Sequence, residues 1–243
     1  SRPVEVRMAN PVRGDADHAI VNAYQYGVPD VPARVQLLLL GKMIANPIYD
    51  ALRTKRQLGY VVFGSLAQHK SVIELRVLIQ GSREDPDAMD SDIETALANF
   101  GDQLRSMPHE EFLNWKASLR SMLTRPDQNM AQEADRLWSQ IANDGHCFDR
   151  RQAALNYLEE LHSVEAVVNT FDGLLKSGRK VSVKLFGVGA QASLGPKAGV
   201  ISLVGDAASE KQRLFGSENH TFYPTGEICG AVSEALVSSN SHL

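Results

Sequence analysis

Alternating apolar and polar residues predict four β-strands in this chain. The alternation runs through residues 19–28, 60–65, 72–80 and 180–186. A polar turn at residues 68–70 separates the second and third segments, so these two are expected to form an antiparallel hairpin that joins the first strand in one sheet. Residues 1–17 contain Pro3, Pro11 and Gly14 and are polar, which predicts irregular structure there.

Apolar residues at helical spacing predict helices between and after these strands. The first helix begins at Asp30-Val31-Pro32, and Pro47 is expected to kink or restart it. A second, long helix begins at Asp85-Pro86. Its predicted inward face contains Met89, Ile93, Ala96, Leu97, Phe100 and Leu104.

Four shorter helices are predicted between the second helix and the last strand. Ser106 is expected to cap the first of them, and Gly178 is expected to close the last. The first two have predicted inward faces at Phe112, Trp115, Leu119 and Leu123, and at Met130, Ala134, Leu137 and Ile141. The other two are predicted at residues 149–160 and 163–176.

The order of these elements predicts an α+β fold. A mixed, mostly antiparallel sheet should carry the helices on one side. We assign residues 1–188 to one domain. Residues 189–243 are rich in Gly, Ser and Ala and are expected to form a partly mobile extension packed on that domain, with anchors at Phe215, Phe222, Tyr223 and Pro224.

Composition excludes several classes of protein and partner. The chain has 25 Lys and Arg residues against 29 Asp and Glu residues, so no net basic field favours nucleic acid. Two cysteines, Cys147 and Cys229, are too few for a disulfide scaffold and fit a reducing compartment such as the cytoplasm. Because no apolar run is long enough, we expect no membrane segment. The terminal Ser241-His242-Leu243 is similar to a peroxisomal Ser-Lys-Leu address.

Residues 51–63 form a corner at which a basic helix end leads through Gly59 into a strand. Asn46-Pro47 is expected to start this helix, and Arg53 lies in its last turn, where positive charge is favourable. Gly59 is expected to allow the tight exit, and Tyr60 opens the strand. Arg53 and Tyr60 are seven residues apart, a spacing that allows both to reach one polar ligand group. Equally, Arg53 is able to cap helix carbonyls and Tyr60 to be a half-buried strand residue.

Residues 52–62 of this corner resemble a signature of the insulysin/pitrilysin family of zinc peptidases. That signature, Leu-Arg-Thr-x-x-Gln-Leu-Gly-Tyr, belongs to the C-terminal half of the family. A weaker likeness continues through the first strand, the helices, residues 147–150 and the strand at 180–188, which together span roughly the first 190 residues. The family fold, with helices packed on a sheet, agrees with the fold predicted from periodicity.

The resemblance implies that the catalytic zinc is bound by another part of the protein. The family binds zinc through His-x-x-Glu-His in its N-terminal half, and this chain has no such motif. None of its seven histidines pairs with another at metal-binding spacing, and no nucleophile elbow or phosphate loop is present. We therefore predict no metal site in this chain, no activity of the chain alone, and two partners: peptide substrates and the zinc-bearing half.

The resemblance assigns roles to two residues. Arg53 would donate hydrogen bonds to a substrate backbone carbonyl, and the Tyr60 hydroxyl would donate a hydrogen bond to the oxyanion that develops when water attacks. Gln57, Leu58 and Gly59 would shape the corner. Arg56 departs from the family, in which an acidic residue is common at this position.

Two other functions remain open. The first is a peptide-binding or assembly domain of the same superfamily that takes no part in proteolysis, although such relatives generally lack the signature of residues 52–62. The second is a stand-alone enzyme with a different site. It has little support, since no nucleophile, base and orienting residue occur together.

Overall fold

The computed structural model describes residues 3–142, 148–190, 195 and 201–204. Six strands form one sheet in the order β3-β4-β2-β5-β1-β6. Their bounds are β1 Val4–Ala9, β2 His18–Gly27, β3 Val61–His69, β4 Val72–Gly81, β5 Lys180–Phe186 and β6 Ile201–Val204. The pairs along β3, β4, β2 and β5 are antiparallel, whereas β1 pairs in parallel with both β5 and β6. The predicted mixed, mostly antiparallel sheet is therefore confirmed.

The prediction of irregular structure at residues 1–17 is wrong for β1. This strand pairs in parallel with β5, from Val4 opposite Val181 to Ala9 opposite Phe186. Parallel pairing joins residues that are distant in sequence, so the local pattern of a short strand flanked by Pro3 and Pro11 gave no signal for it.

The described residues form six α-helices on one face of the sheet, of which the first, second and sixth contact the strands directly, and a π-helix, Asp50–Lys55, lies between the first helix and β3. The α-helices are α1 Val31–Tyr49, α2 Pro86–Arg105, α3 His109–Thr124, α4 Met130–Ala142, α5 Arg150–Glu160 and α6 Glu165–Lys176. Asp30 caps α1 by accepting from the Ala33 amide at 2.8 Å, and Asp85 caps α2. These two predicted starts are confirmed, as is Gly178, which follows α6 with φ of 65°.

Two predicted helix boundaries are wrong. Pro47 lies inside α1, so the helix does not restart there and Asn46 is not an N-cap. Ser106 ends α2 instead of starting α3, and its hydroxyl donates to the Asp102 carbonyl at 2.9 Å. In both cases the side chain is a common helix cap by type, but the backbone around it already belongs to the preceding helix.

The core lies between the sheet and the helices. It is formed by helix-facing strand residues such as Ile20, Leu75 and Val77 together with the inward faces of α1, α2 and α6. The expectation for α4 is wrong, because none of its residues is buried and Met130 is 84% exposed. Amphipathic spacing identifies an apolar face but does not say that this chain supplies the surface against it.

Charged residues occupy one part of the interface between α2 and the sheet. Lys184 on β5 is fully buried, and its ammonium lies 3.1 Å from Glu5, 2.8 Å from Asp87 and 2.9 Å from Asp90. Arg7 is also buried and donates to Asp87. We call these five residues the buried ion cluster.

Much of the C-terminal part of the chain lies outside the described residues. This applies to the predicted anchors Phe215, Phe222, Tyr223 and Pro224, and to Ser241-His242-Leu243. The proposed division at residue 188 therefore stays a prediction, although β6 from the assigned extension pairs with β1. No helix among the described residues is long and apolar enough to cross a membrane.

Candidate functional site

The backbone of the corner is held by two buried leucines, one inside the π-helix and one just after it. Leu52 and Leu58 are both in the core, and the Leu58 amide donates to the Leu52 carbonyl at 3.1 Å. Arg53 and Lys55 lie in the π-helix, which closes where the Arg56 amide donates to the Ala51 carbonyl. π-Helical turns occur often at functional sites, and here the turn fixes the backbone that carries Arg53.

Gly59 is required by close contact with β4, not by a left-handed backbone. The residue with positive φ at this corner is Gln57, at 55°. A Cβ added to Gly59 would lie 2.0 Å from the Gln80 carbonyl oxygen, and one added to Gly81 would lie 2.5 Å from the Gly59 Cα. The expectation that Gly59 closes a helix end is therefore corrected: it lets two backbones touch.

The side chain of Tyr60 projects into solvent at the start of β3 but is held at its hydroxyl. Its backbone amide donates to Gln80, the side chain is 59% exposed, and the strand itself begins one residue later, at Val61. The hydroxyl donates to Asp17 Oδ2 at 2.7 Å and accepts from Gln80 Nε2 at 2.5 Å. The hydrogen bond to Asp17 raises the pKa of Tyr60, so the phenol stays protonated at neutral pH.

Arg53 differs from its basic neighbours in having no partner. Lys55 lies 2.8 Å from Asp50, and Arg56 lies 2.7 Å from Asp92 on α2. Among the described residues, the half-buried Arg53 guanidinium has neither a hydrogen bond nor an ion pair, so it caps none of their helix carbonyls. Its donors are available to a ligand.

Sequence reasoning missed Asp17 and Gln80. Asp17 lies in a turn that was expected to be irregular, but its carbonyl accepts from Asn10 Nδ2 at 3.0 Å, and its amide donates to Asp15 Oδ1 at 2.9 Å. Gln80 is opposite Val61 in the hairpin register. Because both contacts to Tyr60 join distant parts of the chain, no local pattern signalled them.

The corner has the chemistry of a ligand contact and lacks that of a metal site. One unpaired guanidinium and one exposed phenol belong to a backbone turn fixed by buried leucines and by a glycine contact. In the described part of the chain, no group of three or more His, Cys, Asp or Glu side chains is arranged to hold a metal ion. The corner itself therefore offers hydrogen-bond donors, and no metal ligands, to a polar group.

Comparison with known proteins relates this fold to peptidases. A family model described as PQQ synthase PqqF-like, C-terminal lobe domain 4, matches residues 39–138, a range that contains Arg53 and Tyr60. The chain is 27% identical over 183 residues to insulin-degrading enzyme-like 1, peroxisomal, of Arabidopsis thaliana, covering 74% of the chain and 19% of the relative. It is 37% identical over 114 residues to the A-factor-processing enzyme of Saccharomyces cerevisiae, covering 47% of the chain and 11% of the relative.

Solved structures show the same fold. Pitrilysin superposes with a TM-score of 0.70 at 18% identity, over 86% of this chain and 22% of the pitrilysin chain. An inactive peptidase domain from Pseudomonas fluorescens superposes with a TM-score of 0.55 at 15% identity, over 84% of this chain and 45% of that one. The chain spans less than a fifth of the length of the two curated relatives above. With the signature at residues 52–62, these matches show that the chain is similar to the C-terminal lobe of peptidases of the insulysin/pitrilysin family.

Proposed function

We propose that this chain is the non-catalytic C-terminal domain of a zinc metalloendopeptidase that degrades peptides in a closing chamber. The observation that carries the proposal is the pairing, on one fixed corner, of an unpartnered Arg53 with an exposed Tyr60 hydroxyl. Zinc would be bound by the N-terminal half, where it would activate the attacking water. In this scheme the present domain binds substrate and stabilises developing charge.

Arg53 would bind the substrate main chain. A guanidinium offers several donors in a fixed plane, and a peptide carbonyl is an acceptor with two lone pairs. Since no described residue competes for Arg53, binding would break no existing ion pair. The expected effect of Arg53 is therefore on both substrate binding and the orientation of the scissile bond.

Tyr60 would donate a hydrogen bond to the oxyanion and keep its proton. A phenol has one proton, and in this structure that proton is directed to Asp17. The hydroxyl must therefore turn from Asp17 to the substrate oxygen as negative charge develops. The exposed position of Tyr60 permits this turn, and the fixed backbone at Gly59 limits the movement to the side chain.

The proposal is tested by complementation. The chain, the N-terminal half of the same protein, and an equimolar mixture are each assayed with a quenched fluorescent peptide in the presence of zinc. We expect hydrolysis in the mixture and none with the chain alone. Hydrolysis by the chain alone would disprove the non-catalytic role.

A second candidate is a peptide-binding or assembly domain without proteolysis. The superposition on an inactive peptidase domain from Pseudomonas fluorescens favours it. In the same assay this alternative predicts no hydrolysis in the mixture, even though the two halves associate in size-exclusion chromatography. Hydrolysis that depends on both halves would exclude it.

A further inference from the structure

A cavity of about 260 Å³ lies in the helical layer, far from the corner of Arg53 and Tyr60. Four arginines line it: Arg34, Arg136, Arg150 and Arg151. Arg34 is in the first turn of α1, and Arg53 follows the end of that helix, so the two sites are roughly 25 Å apart at 1.5 Å per residue. We call this cavity the arginine pocket.

Arg34 is a buried cation with an unused donor. Its side chain is 8% exposed, and Nη1 donates to Gln68 Oε1 at 3.1 Å. The other terminal nitrogen, Nη2, is buried and has no hydrogen-bond partner among the described residues. Burial, reinforced by the charge of Arg150, lowers the pKa of Arg34 to about 10. A buried donor without an acceptor is destabilising, so the free pocket favours an incoming anion.

Arg150 adds a second uncompensated charge. It begins α5 directly after the N-cap residue Asp149, whose side chain makes no capping hydrogen bond. Burial lowers the pKa of Arg150, which has no hydrogen bond or ion pair to any described residue. Arg34 and Arg150 therefore both present positive charge to the pocket.

The remaining two arginines share one carboxylate. Arg136 Nε lies 2.9 Å from Asp127 Oδ2, and Arg151 Nη2 lies 3.2 Å from Asp127 Oδ1. No acidic residue is among the described residues that line the pocket. Arg136 Nη2 also lies 4.0 Å from Glu133 Oε1, so Arg136 and Arg151 both have acidic partners. Arg34 and Arg150 have none among the described residues, and these two positive charges suit a doubly charged group.

We infer that the arginine pocket binds the phosphate group of a small organic monophosphate. The guanidinium groups of Arg34 and Arg150 would donate to the phosphate oxygens, with the strength typical of charge-assisted hydrogen bonds. Arg34 Nη2 is covered in the free protein, so the Arg34 guanidinium would turn towards the ligand on binding. Apolar side chains of Leu38, Leu123 and Phe148 also line the pocket and would contact the organic part of the ligand. The volume lies below the range of about 300–1,000 Å³ typical of drug-sized ligands, so the ligand is small.

Isothermal titration calorimetry of this chain with phenyl phosphate tests the inference. We expect binding by the wild type, and weaker binding of inorganic phosphate, which lacks an apolar part. Arg34→Met and Arg150→Gln should each weaken phenyl phosphate binding by about tenfold or more, because each removes a charged donor. Arg83→Gln is the matched control, since it removes one exposed positive charge outside the pocket and should leave binding unchanged.

Thermal unfolding separates loss of the site from loss of the fold. Without ligand, Arg34→Met should unfold at the same or a higher temperature than the wild type, because it removes an unsatisfied buried charge. Phenyl phosphate should raise the unfolding temperature of the wild type and of Arg83→Gln, but not of Arg34→Met. If Arg34→Met does not fold, Arg150→Gln serves for the same comparison.

Three outcomes would overturn the inference. They are no binding of phenyl phosphate to the wild type, equal binding to Arg34→Met, Arg150→Gln and Arg83→Gln, and tighter binding of benzoate than of phenyl phosphate. The last would identify a carboxylate site. Because the assay needs no peptidase activity, its result is independent of the complementation test.

Discussion

Tyr60 is the residue whose hydrogen bonding most directly limits the proposed chemistry. Its hydroxyl is saturated by one acceptor, Asp17, and one donor, Gln80. Asp17 lies outside the 52–62 signature, so the state of the phenol depends on a turn that precedes β2. The two residues proposed to contact substrate therefore differ. Arg53 has no hydrogen-bond partner among the described residues, whereas Tyr60 must give up its hydrogen bond to Asp17 before it can donate to substrate.

The Tyr60–Asp17 hydrogen bond predicts a change in the pKa of Tyr60. Asp17 raises that pKa because it accepts a hydrogen bond from the protonated phenol and because its negative charge disfavours the phenolate. Asp17→Asn should therefore lower the pKa of Tyr60 towards the ordinary tyrosine value. The measurement is a phenolate absorbance titration, with Tyr60→Phe subtracted to isolate this residue. Asp92→Asn, which removes a carboxylate that contacts Arg56 instead, is the control and should leave the pKa unchanged.

Substitution of the two site residues should reduce turnover without affecting the fold. In the complemented enzyme, Tyr60→Phe removes one oxyanion donor and should lower kcat about 100- to 1,000-fold, which corresponds to about 2.7–4 kcal/mol. Arg53→Ala should lower kcat/KM, whereas Lys55→Ala, at an exposed neighbouring position, should not. Unfolding temperatures should stay near that of the wild type. Unchanged turnover in Tyr60→Phe would remove that residue from the site.

At the scale of elements, the contact between the corner and β4 determines where Tyr60 is placed. Gly59 and Gly81 lie against each other's backbone, and the strand pair β3 and β4 continues from there to a two-residue turn. A side chain at either glycine would separate the corner from the hairpin. The position of the phenol thus depends on backbone contact more than on packing of the Tyr60 ring.

Glycine-to-alanine substitutions should have opposite effects at two positions. Gly59→Ala would place a methyl group against the Gln80 carbonyl and should lower the free energy of unfolding by about 1–3 kcal/mol. Gly173→Ala, inside α6 with no atom within 4 Å of the new Cβ, should raise it by up to about 1 kcal/mol. Urea denaturation measures both. Equal effects at the two positions would contradict the proposed contact.

For the whole molecule, the buried ion cluster joins the sheet to α2 and couples stability to acid. The hydrogen bond from Arg7, followed by contacts with Lys184, holds the pKa of Asp87 well below its usual range. Burial alone would raise the pKa of Asp90, but Lys180 and Lys184 outweigh it and lower that pKa. Removing one partner from such a buried cluster leaves another charge buried without compensation, which lowers the free energy of unfolding.

Acid should therefore destabilise the chain. A carboxyl whose pKa is lower in the folded state contributes stability above its unfolded pKa of about 4, and this contribution is lost as pH falls through the folded pKa. Denaturation midpoints measured from pH 7 down to about pH 2 should decrease accordingly.

Replacing one carboxylate of the cluster tests this linkage. Asp87→Asn should weaken the acid dependence and, by leaving Arg7 and Lys184 short of a partner, lower stability at neutral pH by about 3 kcal/mol. Asp172→Asn, which removes an exposed ion pair with Arg105, should cost less than about 1 kcal/mol. An unchanged acid profile in Asp87→Asn would show that the cluster does not control it.

Much of the fold was predictable because its signals are local. Alternation located four strands, the caps at Asp30 and Asp85 located two helix starts, and the signature at residues 52–62 identified the family. The helix spacing of α4 was also visible, but whether its face is covered depends on a partner surface that no local pattern encodes.

By itself, the sequence determined four strands, the helical segments, the α+β class, the likeness to the insulysin/pitrilysin family, and the two residues, Arg53 and Tyr60, that are proposed to contact substrate. Tertiary structure alone decided that β1 enters the sheet, that Asp17 holds the Tyr60 hydroxyl, that Gly59 touches β4, and that Arg34 and Arg150 share a pocket. The physical reason is the sequence distance over which each kind of interaction acts. Periodicity and capping act within one or two turns of chain, whereas hydrogen bonds, close backbone contacts and charge clusters join residues that meet only when the chain folds.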